Sequence, residues 1–128
     1  MGLEADGYVP VKIPVQDEPP VQTTLTQKCP AVVDEFKQEP FTITGQLQPG
    51  FAGATIKIKY TTPGQSAPSR TFERTVTTDA NGEWSDTMDP STEPGRYGNW
   101  KVQARYEGDS EHVASTAAEC TVLFENSG

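Results

Sequence analysis

Along much of the chain apolar and polar residues alternate one for one, the period of a strand with one buried and one wet face. The clearest run is "ATIKIKY", where Ile56, Ile58 and Tyr60 point one way and Thr55, Lys57 and Lys59 the other. "NWKVQARY" repeats the pattern with Trp100, Val102, Ala104 and Tyr106 on one face. Shorter versions lie in Thr23–Cys29, in "FTITGQLQ" (Phe41, Ile43, Leu47), in "RTFERTVTT" (Phe72, Val76), in "EWSDTM" (Trp84, Met88) and in the closing "TAAECTVLF". After Pro30, "AVVDEF" reads as a continuation of the first strand beyond a break. Pro49-Gly50, "TTPGQSAPS" and "DPSTEPGRYG" supply the Pro, Gly and small polar residues of turns and loops. Seven strands between turn signals, with no helical period of any length, predict an all-β antiparallel sandwich.

Composition agrees with that pattern. Helix formers are sparse, Thr is abundant, and Gly and Pro number 11 each, which suits short strands and turns. At 128 residues the chain is one domain long and has enough surface to bury for a core. The domain is expected over residues 21–126. Residues 1–20 read as a Pro-rich linker or tether, interrupted by Pro10, Pro14, Pro19 and Pro20, although Val9, Val11, Ile13 and Val15 alternate within it. A formal charge of −8 argues against nucleic-acid binding, which needs a local excess of Lys and Arg. No apolar run approaches the ~20 residues that cross a bilayer, and the start has no secretory signal pattern. The opening Met1-Gly2 reads as a boundary cut from a longer parent protein.

Cys29 and Cys120 are the only two cysteines, and each sits in phase with apolar neighbours: Leu25 for Cys29, and Ala118, Val122 and Phe124 for Cys120. Two readings follow. They are separate buried thiols, since free Cys packs well in cores, or they form one disulfide tying the first strand to the last. The bridge is the reading adopted here; it implies an oxidising compartment.

The succession "TITGQL", "TTDANGEW", "GNWKVQARYEGD" and a closing apolar strand resembles the bacterial immunoglobulin-like domains of cell-surface and secreted proteins. The resemblance covers roughly residues 23–124 and rests on Gly45, Asp79, Asn81, Gly82, Trp84, Trp100, Ala104, Tyr106, Gly108 and Asp109. It implies an immunoglobulin-like antiparallel β-sandwich of about seven strands, monomeric, serving as one module of a larger extracellular protein. Cys29, Cys120 and the long loop at 61–69 depart from the family's pattern.

Candidate chemistry is thin. "DANG" fails as a helix-loop-helix calcium loop, because the Gly falls fourth from Asp79 and the twelfth residue is Pro90. It is expected to be the turn of a tight hairpin, with Asp79 bonding the turn's own amides. A shallower calcium site from Asp79, Asn81 or Glu83 with Asp109, Glu107 or Glu111 is the alternative. His112 stands alone in a polar corner, no Ser occupies a nucleophile elbow, and two Cys with one His make no zinc site, so neither catalysis nor a cofactor is expected. Lys57 and Lys59 alternate with buried isoleucines and are expected to face solvent, against a Lys–Asn isopeptide bond. With the third and sixth strands as neighbours, Lys57, Lys59, Lys101 and Arg105 form a basic stripe, a possible ligand surface for an anionic wall polymer. The competing reading is a mixed, solvated face with cross-strand partners such as Glu119 or Gln103. Phe51, Tyr97 and Trp84 are considered as exposed stacking positions for sugar rings, although Trp84 fits the buried phase of its strand.

The function expected from these residues is a non-catalytic spacer or adhesion module, flanked by other domains of its parent, with a protein or cell-wall polysaccharide as partner and no insertion into a membrane. A carbohydrate-binding accessory module of a secreted hydrolase and a calcium-dependent adhesion module are the alternatives.

Overall fold

The computed structural model describes residues 19–34, 40–64, 68–90 and 96–125. The Val9–Val15 alternation and most of the tether lie outside them. Nine strands occur among the described residues: β1 (Thr24–Lys28), β2 (Val32–Asp34), β3 (Phe41–Gln48), β4 (Thr55–Thr61), β5 (Thr71–Thr77), β6 (Glu83–Met88), β7 (Gly98–Tyr106), β8 (Ser115–Thr116) and β9 (Cys120–Glu125). Seven match the runs read from alternation; β2 and β8, three and two residues long, are too short to show a period.

The strands form two sheets in an immunoglobulin-like β-sandwich. The larger has the order β2-β9-β7-β4-β5 with β8 beside β7, and the smaller has the order β1-β3-β6. All pairings are antiparallel except that of β2 with β9, which is parallel, Leu123 opposite Val32. The exception follows from the break at Pro30: the chain leaves the small sheet after β1 and re-enters the large one as its edge. Neighbouring β4 and β7 set Ile58 opposite Ala104 and Tyr60 opposite Val102, the third-with-sixth-strand adjacency expected.

The core lies between the sheets, where Phe41, Ile43, Leu47, Ile56, Ile58, Tyr60, Trp100, Val102, Val122 and Phe124 are almost wholly buried. Trp100 sits at its centre, edge-on to Phe41 at 5.7 Å, its indole N–H given to the Arg96 carbonyl at 2.7 Å. Trp84 is buried too, lying where a side chain on Gly45 would stand; a Cβ there would come within 2.3 Å of its ring.

The "DANG" segment is a turn, but not of a hairpin. β5 belongs to the large sheet and β6 to the small one, so residues 79–83 turn a corner between sheets. Asp79 Oδ1 accepts from the Asn81 and Glu83 amides at 2.8 and 3.0 Å, and Gly82 adopts φ +80°. The corner docks on the end of β3, where the Leu47 amide donates to the Gly82 carbonyl at 2.8 Å. A second correction concerns Ala118, which is exposed while Ala117 is buried. Residues 117–119 leave the ladder between β8 and β9, and the alternation slips by one residue before Cys120.

Candidate functional site

The chemistry of the described residues is concentrated in two ties between the sheets. The first is the Cys29–Cys120 disulfide, Cα atoms 6.2 Å apart, which joins the residue after β1 to the first residue of β9. Beside it Gln27 reaches across the sandwich. Its side-chain oxygen accepts from the Ala104 amide at 2.7 Å, and its Nε2 donates to the Val102 carbonyl at 2.8 Å and lies 2.8 Å from Cys120 Sγ. Those two backbone groups of β7 face the gap between β8 and β9. A primary amide carries one acceptor and two donors, so Gln27 completes the ladder there in place of a strand.

The second tie lies at the opposite margin, where β5 and β6 face each other. Asp86 is buried on the inner face of β6 between Trp84 and Met88. It accepts from the Tyr60 hydroxyl at 2.5 Å and from Arg74 Nε at 2.8 Å. Arg74 approaches from β5 and is 45% exposed against 5% for the carboxylate. Burial, and then the Asp86 hydrogen bond, push the Tyr60 hydroxyl far up from its ordinary range. The bond to Asp86 holds the Arg74 guanidinium above its usual range as well. The group is saturated by its own members and acts as a polar clasp between sheets.

The basic stripe is only partly basic. Lys57 and Arg105 are cross-strand neighbours as the sequence suggested. Both, however, are bound to acids: Lys57 to Glu107 at 3.1 Å, and Arg105 to Glu107 at 3.2 Å and to Glu73. Arg105 holds the Glu73 carboxyl below its usual range, and Lys57 and then Arg105 do the same for Glu107. The partners are therefore Glu73 and Glu107 rather than Glu119. Lys59 and Lys101 are exposed on the same outer face. Lys57 and Lys59 both point away from the core, as their phase required.

The calcium candidates are not assembled. Asp109 Oδ1 accepts from the Glu111 amide at 2.8 Å and lies 2.9 Å from His112 Nδ1, while Oδ2 accepts from Tyr106 at 3.2 Å. The Glu111 amide first, and His112 second, hold this carboxyl below its usual range. Asp109 lines an end cleft of about 400 Å³, whereas Asp79 lines a separate groove on the small sheet. Among the described residues no three His, Cys, Asp or Glu side chains gather as a metal site.

The aromatic platform is corrected likewise. Trp84 is buried, half-buried Phe51 stacks on His112 at 4.2 Å, and half-buried Tyr97 stacks on Phe124 at 5.7 Å. These rings are committed to packing. Compared with known proteins, the chain matches no family model and no curated protein.

Proposed function

We propose that the chain is a non-catalytic immunoglobulin-like module of a larger extracellular or cell-surface protein, akin to the bacterial domains it resembles, acting as a stiff spacer or interaction domain. The observation that carries this reading is the disulfide between the first and last principal strands. A disulfide is compatible with an oxidising compartment. In a string of modules, force enters through the chain ends, and the bridge sits just inside them.

The bridge spans a sequence separation of 91 residues. Pulling on the oxidised module therefore leaves that span closed even after the sandwich opens. Single-molecule pulling of a tandem repeat of this domain tests the idea. Adding reductant should lengthen each unfolding step by roughly 300 Å, the extended length of the released span at ~3.4 Å per residue. Equal steps with and without reductant would overturn the reading, as would free thiols in protein recovered from an exported source.

A further inference from the structure

The two outer faces of the sandwich differ in chemistry. The large sheet displays the Lys57, Arg105, Glu73 and Glu107 ion-pair network. The small sheet displays hydroxyls and amides around a groove of about 800 Å³. Strand register explains the groove's shape. One wall is the row Lys28, Thr44, Ser85, and the other is the row Thr26, Gln46, Glu83. The intervening row, Gln27, Gly45 and Trp84, turns its side chains inward, so the trough is floored by backbone. The trough crosses all three strands and ends against the Thr77–Asp79 corner. Neighbouring strands are ~4.8 Å apart and rows two residues apart are ~7 Å apart, so the trough is narrow and long enough for a short linear chain.

We infer that this trough binds a neutral polysaccharide. Its central side chains, Thr26, Thr44, Gln46 and Ser85, both donate and accept, as do the hydroxyls of a sugar. Their existing bonds are long: Thr26 Oγ1 to the Gln46 carbonyl at 3.3 Å, and Gln46 Nε2 to the Asn81 carbonyl at 3.3 Å. Such bonds are weak and exchange readily for ligand contacts. Formal charge is confined to the ends, Lys28 at the β1 end and Glu83 with Asp79 at the β6 end. An anionic polymer would meet those carboxylates, and a cationic one would meet Lys28. A peptide with apolar side chains would find no apolar side-chain wall to receive them. A chain without charge and dense in hydroxyls fits the whole length.

This site opens on the outer face of the small sheet, opposite the inward-facing ties, and does not depend on the spacer reading; the pulling experiment and the binding experiment fail independently. The test is an amide NMR titration of the oxidised protein with the neutral hexasaccharides of cellulose, xylan, mannan and chitin. One of them is expected to shift the amides of residues 26–28, 44–46 and 83–85, with a dissociation constant on the order of 1 mM or below, as suits a shallow open site. Thr44→Arg and Ser85→Arg place a bulky side chain in the trough from two different strands and should each weaken binding at least tenfold. Lys59→Glu, on the other sheet's outer face, should leave it unchanged. Absence of shifts with all four sugars at 10 mM (roughly ten times that expected constant), or shifts on the large sheet instead, would overturn the inference.

Discussion

Asp86 stands where a β-sandwich ordinarily places a hydrophobic side chain, and its partners decide whether it is tolerated. Removing a carboxylate from water costs several kcal/mol unless ion pairing and hydrogen bonds restore the loss. Arg74 and Tyr60 do so here from β5 and β4. Because the carboxylate is the buried partner and the guanidinium the wetter one, the two removals are unequal. Arg74→Leu strands a buried charge and is expected to destabilise by about 2–3 kcal/mol, a breakage cost discounted for the water already reaching Arg74. Asp86→Asn keeps an acceptor for Tyr60 and frees Arg74 to turn to solvent, so its expected cost is about 1 kcal/mol. Urea unfolding of both variants checks the order; a larger loss for Asp86→Asn would refute it. The phase of these residues was legible in the sequence, since Asp86 falls in phase with Trp84 and Met88, and Arg74 with Phe72 and Val76. Their meeting was not, because β5 and β6 lie in different sheets and no local spacing encodes that juxtaposition.

At the scale of elements, the large sheet is interrupted between β8 and β9, where Gln27 from the other sheet takes up two backbone groups of β7. Gln27→Ala leaves the Ala104 amide and the Val102 carbonyl without the partners they have now. At about 1–3 kcal/mol for each buried group left unsatisfied, offset by water entry, the expected loss is about 2–3 kcal/mol. Hydrogen exchange at Ala104 should rise well beyond the change at neighbouring amides of β7; protection equal to wild type would show that Gln27 is not the ladder's partner. Strand existence was the legible part at this scale, and strand partnership the illegible part. Asp79 and Gly82 make the same local bonds whether a turn closes a hairpin or rounds a corner, so "DANG" identified the turn and not its setting. β2 falls in the "AVVDEF" run read as a continuation of the first strand, but its place in the other sheet comes from its pairing with β9, which is a long-range contact.

For the whole molecule, acid and alkali act on different parts. Glu73, Glu107 and Asp109 are held below their ordinary values. Their contribution to stability is present above their unfolded values near pH ~4 and is lost as pH falls through the lower folded ones. Tyr60 is shifted the other way. Its contribution is complete below an unfolded value of about 10 and is lost as pH rises beyond it. Urea midpoints measured against pH should therefore form a plateau between about pH 5 and 9, with a decline on each side. Tyr60→Phe should flatten the alkaline decline relative to wild type; an unaltered alkaline limb would mean that the hydroxyl is not the group responsible. The sandwich itself was readable from alternation. The division of its surface into an ion-paired face and a hydroxyl-lined face emerged only from the register that aligns β1, β3 and β6.

The bridge from Cys29 to Cys120 also closes the chain between them into a covalent ring. A peptide bond cut once inside that ring, for instance at the exposed Ala52-Gly53 turn, does not divide the molecule. The nicked chain keeps both pieces tethered, differs from the intact one only by an added water, and parts into two only when the bridge is reduced and the sandwich unfolded. A protease therefore has to cut twice within the ring to release a fragment. Loss of any part of the ring then turns on the second cut rather than the first.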